Sequence, residues 1–562
     1  MPPSSHIAIL GGGISGLSTA WYLTRASPSV RVTLLEAANR TGGWISSSRQ
    51  DDSTHGGSFL LEHGPRSLRP QGISGLNTLE LVRELGLDGE VAPVPKTSPA
   101  AKNRFIYARN KLHMVPTSLA GLLTHPLVAP KIPRASLDLV LPQITELEDE
   151  SIESFVTRRF GRGISDDLVS AMVHGIYAGD AKKLSVRSTF GMLYHTEREY
   201  RSVIMGMLRG GGSVVETAWD QALKERILAK MPDLNDFVAK TSIYSFQNGM
   251  QALSDTLERK LIETGRVKIL KGANVDHLDF NLVERSVSIS IPHQPLLHAD
   301  MVIAAIAPRK LSRLLPRPHK LLNYNGSVNV AVVNLVYPGC QQTFKTPGFG
   351  FLMPKSEDPA AKHKGLLGVV FDSCALPSQD KGEARGKNLK LTAMLGGHLF
   401  EETLARHGLL PTTTTSTPHK GRSEKMTTSP PLDDATMKAL ASNPQIQHFF
   451  KEAAKEAVRD KLQLNVEPSL VEAHLQWECI PQYRPGHLTV MEMLDDILRR
   501  DYDGLLAVTG AGYLGVSVND CIKNGRELAE NLVAKLEEDA TGESALVGRR
   551  EPVTGLERSN FM

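Results

Sequence analysis

The chain has 562 residues, of which 41% are hydrophobic and 22% charged, with a net charge of +3 at neutral pH. That length is more than one hydrophobic core supports, so two or three domains are expected, and the composition excludes a disordered chain. The near-neutral balance, with no long basic run, argues against nucleic-acid binding. Cys340, Cys374, Cys479 and Cys521 are scattered without a metal-ligand spacing, so neither a disulfide framework nor structural zinc is expected. No apolar run approaches the roughly 18–20 residues that span a bilayer, and no N-terminal leader is expected.

In chain order, the apolar run His6–Leu10 predicts a short buried strand. It leads into Gly11-Gly12-Gly13-Ile14-Ser15-Gly16 and a helical pattern through Leu17, Ala20, Trp21 and Leu23. A strand Arg31–Leu35 ending on Glu36 completes the opening β-α-β of a doubly wound sheet. From about Lys102 to Arg209 helical periodicity dominates, in Ile152–Phe160, Ile164–Tyr177 and Phe190–His195, so a mainly helical insertion is expected. A second α/β stretch follows, with a helix Met250–Glu263 and strands Arg266–Leu270 and Asp300–Ala305. Valine-rich runs at Ser327–Val336, Leu366–Phe371 and Leu391–Leu395 predict a separate antiparallel sheet. The Thr-, Ser- and Pro-rich stretch Pro411–Pro431 reads as a disordered surface loop. A strand Leu505–Thr509, a turn Gly510–Gly515 and a helix Val518–Leu536 close the fold, followed by a polar tail expected to be frayed.

Gly11-x-Gly13-x-x-Gly16 lies where a dinucleotide needs it. The first glycine permits the turn, the second lets backbone approach a pyrophosphate, and the third packs helix on strand. The phosphates would meet the free N–H groups of the helix N-terminus. Glu36 would accept the ribose hydroxyls. Arg40-Thr41-Gly42-Gly43-Trp44 follows directly, as in glutathione-reductase-like flavoproteins, and selects FAD over NAD. The turn Val508-Thr509-Gly510-Ala511-Gly512 and the helix after it would return N–H donors to a flavin ring. No metal site is evident, and His174, His398, His474 and His487 read as isolated. The chemistry is expected to lie mainly in the cofactor.

Four further segments are more specific. Leu61-Glu62-His63-Gly64-Pro65-Arg66-Ser67-Leu68-Arg69-Pro70, Asn103-Arg104-Phe105, His174 to Asp180 and Asn519-Asp520-Cys521-Ile522 together resemble the protoporphyrinogen oxidase family, over about Ser5 to Leu536. The resemblance implies an α/β fold. It would comprise a doubly wound FAD-binding domain, a mixed antiparallel-sheet substrate domain and a helical membrane-associating insertion. It implies oxidation of protoporphyrinogen IX to protoporphyrin IX in three two-electron steps, with O2 as acceptor and hydrogen peroxide released. It further implies a peripheral position on the intermembrane-space side of the mitochondrial inner membrane, a possible homodimer and a possible ferrochelatase contact.

Carried over by position, Gly11, Gly12, Gly13, Ile14, Ser15, Gly16, Glu36, Ala37, Trp44, Gly64, Pro65, Arg66 and Ser67 match FAD contacts, as do Val275, Val516, Ser517 and Val518. Arg104 matches an arginine that faces a substrate propionate. Phe349, Leu352 and Met394 match residues around the macrocycle, and Gly175 a backbone carbonyl near the oxidised ring. His63 and Tyr513-Leu514 depart from the family pattern. The implied division assigns 1–95, 241–315 and 480–540 to the FAD domain and 96–215 to the helical insertion. It assigns 316–479 to the substrate domain, with a loop at 411–431 and a flexible tail at 541–562. From the residues alone, another flavin oxidoreductase of the amine oxidase or carotenoid desaturase kind remains open, as does a flavin-stabilised binding protein without turnover.

Overall fold

The computed structural model describes residues 5–116, 119–143, 147–212, 216–410, 439–440, 442–541 and 552–557. The expected loop Pro411–Pro431 lies outside them. A five-stranded parallel sheet has the strand His6–Leu10 at its centre, between Met301–Ala304 and Arg31–Glu36. Leu506–Val508 and Val267–Lys271 form its edges. Both faces of such a sheet are covered, which is why these strands read as continuous apolar runs. On one face the helix Ile14–Ala26 packs with Gly72–Glu84, Gln251–Glu263 and Val518–Thr541 around Leu17, Leu76, Leu257 and Ile522. On the other, a three-stranded antiparallel sheet and the helix His487–Tyr502 cover Ala8, Val302 and Leu506. Each fully buried Leu or Ile here contributes about 1.5–3 kcal/mol relative to exposure.

A second, seven-stranded sheet carries the order Leu470–Gln482, Gly326–Tyr337, Leu389–Gly397, Leu366–Val370, Gly350–Leu352, Arg104–Ala108, Lys111–Met114. It is mixed: only the Gly350–Leu352 and Arg104–Ala108 pair is parallel. Alternate residues Ala331, Val333, Phe351, Leu391 and Ala393 face the helix Pro444–Leu462, forming a separate core. The opposite face is left for the cleft described below.

Two expectations are corrected. Residues 104–114, expected in the helical insertion, form a hairpin on the edge of the seven-stranded sheet. Its turn residues, Arg109 (φ 53°) and Asn110 (φ 60°), both take left-handed backbone. A two-residue hairpin turn requires that conformation, and glycine usually marks it in a sequence. Here glycine is absent. The tail is the second correction: residues 552–557 dock rather than fray. Val508 N donates to Thr554 O at 2.8 Å, Thr554 Oγ1 bonds Asp495, and Leu556 is fully buried.

The helices Ala218–Lys230 and Leu234–Lys240 bury Leu223, Ile227 and Leu234 in the core of the parallel-sheet unit. The first starts at a capping box, with Thr217 and Asp220 satisfying each other's backbone. The helices between residues 152 and 208 share a small core around Phe155, Val173 and Tyr194. Arg159 is buried there against Glu197 and Asp138. Among the described residues no helix is long and apolar enough to cross a membrane.

Candidate active site

The first turn is shaped by what it cannot hold. Gly11 adopts φ +101°, and a Cβ at Gly16 would lie 2.0 Å from the Gly11 carbonyl oxygen. At Gly13 the opposite holds: a Cβ would meet nothing closer than Gly43 Cα, at 3.9 Å. The helix Ile14–Ala26 begins there with no side-chain cap. Its first N–H groups lack intrahelical partners and carry the positive end of the helix dipole. Glu36 ends the second strand and accepts from Gly12 N at 2.7 Å and Ala38 N at 2.8 Å, with Ala37 between. Val275 lies just beyond Gly272 and Ala273, whose N–H groups bond Ala38 O and Glu36 O.

Arg40 pins the second glycine pair by donating to Thr41 O and Ile45 O, each at 3.0 Å, and to Gly43 O at 2.6 Å. Gly42 N in turn donates to Gly12 O at 2.8 Å. Trp44 is exposed beside Gly64, where a Cβ would lie 2.0 Å from the Trp44 carbonyl oxygen. Gly64, Pro65, Arg66 and Ser67 therefore join the same rim. The last unit closes the ring of elements: a Cβ at Gly510 would lie 3.2 Å from Ser15 Oγ. Ser517 caps the final helix by accepting from Asp520 N at 3.1 Å. Val518 packs with the core of the parallel-sheet unit and Val516 with the helical part.

Across from this rim stands the face of the seven-stranded sheet opposite the helix Pro444–Leu462. Cross-strand register places Ile106, Leu352, Gly368, Met394, Val332 and His474 in one rank. Two residues along, Arg104, Gly350, Val370, Thr392, Asn334 and Glu472 form the next. Residues two apart on a strand share a face, so Arg104, Leu352 and Met394 look into one cleft. Gly175, near the end of the helix Ser170–Tyr177, closes on it: a Cβ there would lie 2.7 Å from Leu352 Cδ2. Phe349 supplies a ring with the Arg104 guanidinium 5.8 Å above its centroid. Partial burial, then the nearby Arg69 charge, lowers the Arg104 pKa.

A polar chain joins rim to face. Arg66 Nη1 donates to Asp372 Oδ1 at 2.9 Å, and its Nη2 lies 3.8 Å from Met394 Sδ. Thr392 Oγ1 bridges Asp372 Oδ2 and Asn334 Oδ1, and Asn334 Nδ2 meets His63 Nδ1 at 3.1 Å. His63 Nε2 bonds Ser48 Oγ at 2.8 Å, and its ring lies 3.6 Å from that of His474. Burial, followed by the charges of His474, Arg66 and Arg40, holds the His63 pKa at about 4. The adjacent Glu62 is pushed up to about 7, chiefly by burial.

The sequence carries no signal for Asp372, Thr392 and Asn334, and marks His63 only as a departure from the family pattern. Nor are the histidines isolated. His174 and His398 lie 5.1 Å apart, and Tyr483 stacks on His487 at 4.0 Å. His63, Glu472 and His474 bring three ligand atoms within 4.8 Å of one another, although both His63 nitrogens are already bonded. Tyr513, one of the departures from the family pattern, is buried in the core of the parallel-sheet unit, with 1% exposure.

Residues 14–407 match the family described as flavin containing amine oxidoreductase. The chain is 36% identical to protoporphyrinogen oxidase of Homo sapiens, over 94% of this chain and 98% of that protein. It is 32% identical to protoporphyrinogen oxidase of Schizosaccharomyces pombe, again over 94% and 98%. This chain belongs to the protoporphyrinogen oxidase family of flavin containing amine oxidoreductases. In fold it is also similar to a crystal structure from Exiguobacterium sp. 255-15, with a TM-score of 0.68 at 20% identity, covering 95% of this chain and 100% of that one.

Membership of this family makes FAD the cofactor, and the residues present fit it. An uncapped helix N-terminus with open space at Gly13 suits a pyrophosphate, and Glu36 presents a carboxylate at the ribose end. Beside the last turn, the buried Thr509 Oγ1 and Asn519 Oδ1 have no hydrogen-bond partner. Such atoms suit the polar edge of a flavin.

Proposed function

We propose that this chain oxidises protoporphyrinogen IX to protoporphyrin IX, with O2 as the final acceptor. The observation that carries this is the cleft itself: Leu352, Met394 and Phe349 face a dinucleotide rim, with the guanidinium of Arg104, which has no carboxylate partner among the described residues, at one end. Bound FAD supplies the two-electron acceptor. The overall balance consumes three O2 and releases three H2O2, because six hydrogens leave the tetrapyrrole.

The protein's own part is binding and orientation. Arg104 binds a propionate, since a guanidinium pairs bidentately with a carboxylate and keeps its charge when partly desolvated. Phe349, Leu352 and Met394 hold the macrocycle and keep water from it. Gly175 sits in the last turn of its helix, where backbone carbonyls carry the negative end of the dipole. That end faces a ring on which positive charge develops as hydride departs. Arg66, fixed by Asp372, orders the segment Gly64–Ser67 against the cofactor.

The helical part is read as the membrane-facing portion. Leu123, Leu137, Leu139, Val140, Met207 and Leu208 are exposed on it, an apolar surface suited to shallow insertion. Peripheral placement on the intermembrane-space side of the mitochondrial inner membrane, a homodimer and product hand-over to ferrochelatase belong to the same reading and rest on family resemblance. Aerobic incubation of the FAD-loaded protein with protoporphyrinogen IX should yield porphyrin fluorescence and peroxide in a ratio of about one to three. Oxidation no faster than in buffer would reject the reading.

A further inference from the structure

Two guanidiniums near the cleft lack an anion. Neither Arg69 nor Arg104 has an ion pair or side-chain hydrogen bond with another described residue. The nearby Arg69 charge acts on Arg104 unfavourably, lowering its pKa after the effect of partial burial. Like charges held together near a low-dielectric wall repel, and the arrangement is relieved when an anion enters.

The backbone of Arg69 is tightly fixed. Leu68 pairs with Tyr244 through two hydrogen bonds of 2.7 and 2.9 Å, and Asn519 Nδ2 donates to Arg69 O at 2.8 Å. Gly75 closes the turn beneath, where a Cβ would lie 2.7 Å from Arg69 O. Ile243, the neighbour of Tyr244, packs in one cluster with Phe349, the ring over which Arg104 stands. These contacts fix the Arg69 backbone beside the strand whose Ile243 packs with Phe349, the ring under Arg104, and leave the Arg69 side chain exposed.

We infer that Arg69 is a second carboxylate-binding residue, forming with Arg104 a two-guanidinium clamp for a tetrapyrrole with carboxylates on neighbouring rings. This rests on the function proposed above and adds its specificity: both acid arms are recognised, each by its own arginine. Two anions neutralise two cations that otherwise repel, so loss of either arginine weakens binding rather than the oxidation step.

The test compares wild type, R69Q, R69K and R104Q on protoporphyrinogen IX and on its dimethyl ester. R69Q should raise KM for the diacid about tenfold, with kcat within about twofold, because a partly exposed charge-assisted contact is lost. R69K should recover part of the effect, and with the ester R69Q and wild type should coincide. An unchanged KM for the diacid, or an equal rise with the ester, overturns the clamp. Fluorescence titration with protoporphyrin IX separates this from the reaction itself. Absence of wild-type turnover rejects the proposed function, whereas R69Q binding the diacid as tightly as wild type rejects the clamp alone.

Discussion

Gly175 and Leu352 meet so closely that the helix Ser170–Tyr177 and the strand Gly350–Leu352 tolerate no further atom between them: a Cβ at Gly175 would lie 2.7 and 2.9 Å from the two Leu352 methyl carbons. Because the obstacle is the tip of a flexible side chain, Gly175→Ala should fold and instead displace Leu352 into the cleft. We expect kcat/KM to fall by up to about a hundredfold, the scale of a misplacement near 1 Å. Adding Leu352→Ala should restore part of the loss, and steady-state kinetics on the four proteins would show the coupling. Strictly additive effects would contradict the contact.

Asp372 compensates a mostly buried guanidinium. Its carboxylate takes Arg66 Nη1 at 2.9 Å and Thr392 Oγ1 at 2.6 Å, with side-chain exposures of 10% and 14% for the ion pair. Asp372→Ala strands the Arg66 charge and should cost about 3–5 kcal/mol of stability. Thr392→Val should cost only about 1 kcal/mol. Urea unfolding measures both, and bound FAD per chain should fall with Asp372→Ala.

The second and third glycines of the first turn should fail differently. Gly16→Ala drives a Cβ to 2.0 Å from backbone and should abolish soluble folded protein. Gly13→Ala has room within the protein, with 3.9 Å to its nearest neighbour. It should therefore preserve the apoprotein Tm while weakening FAD, a difference that thermal unfolding with and without cofactor would reveal. Equal Tm gain from FAD in Gly13→Ala and wild type would contradict the placement of the pyrophosphate.

Acid should destabilise the fold through buried neutral histidines. His487 donates from Nε2 to Tyr513 O at 2.7 Å, while Nδ1 faces Asn325 Nδ2 at 2.8 Å, so a second proton would oppose the amide. Burial holds its pKa at about 4, below the ordinary 6.5. A depressed pKa gives stability that is present above pH 6.5 and lost as pH falls toward 4. His487→Gln should reduce the slope of unfolding free energy across that window by about one proton. An unchanged slope would reject the assignment.

Short-range features were readable in the sequence because their physics is local. The turn Gly11–Gly16, the terminal acid Glu36 and the valine-rich strands announce themselves within a few dozen residues. The hairpin at 104–114 was hidden because Arg109 and Asn110 adopt left-handed backbone without a glycine to mark it. The polar chain through Arg66 was hidden for another reason: Asp372 lies 306 residues away, and Asn334 lies 271 from His63. No periodicity reports which polar residues two distant elements will share. The docked segment around Thr554 was equally silent, since its anchor Asp495 lies in a helix 59 residues earlier.

The most direct test is an anaerobic titration of the FAD-loaded protein with protoporphyrinogen IX, followed by air. The account predicts stoichiometric bleaching of the flavin absorbance, then its return on oxygenation with protoporphyrin formed. Flavin absorbance that stays unchanged at saturating protoporphyrinogen would contradict it.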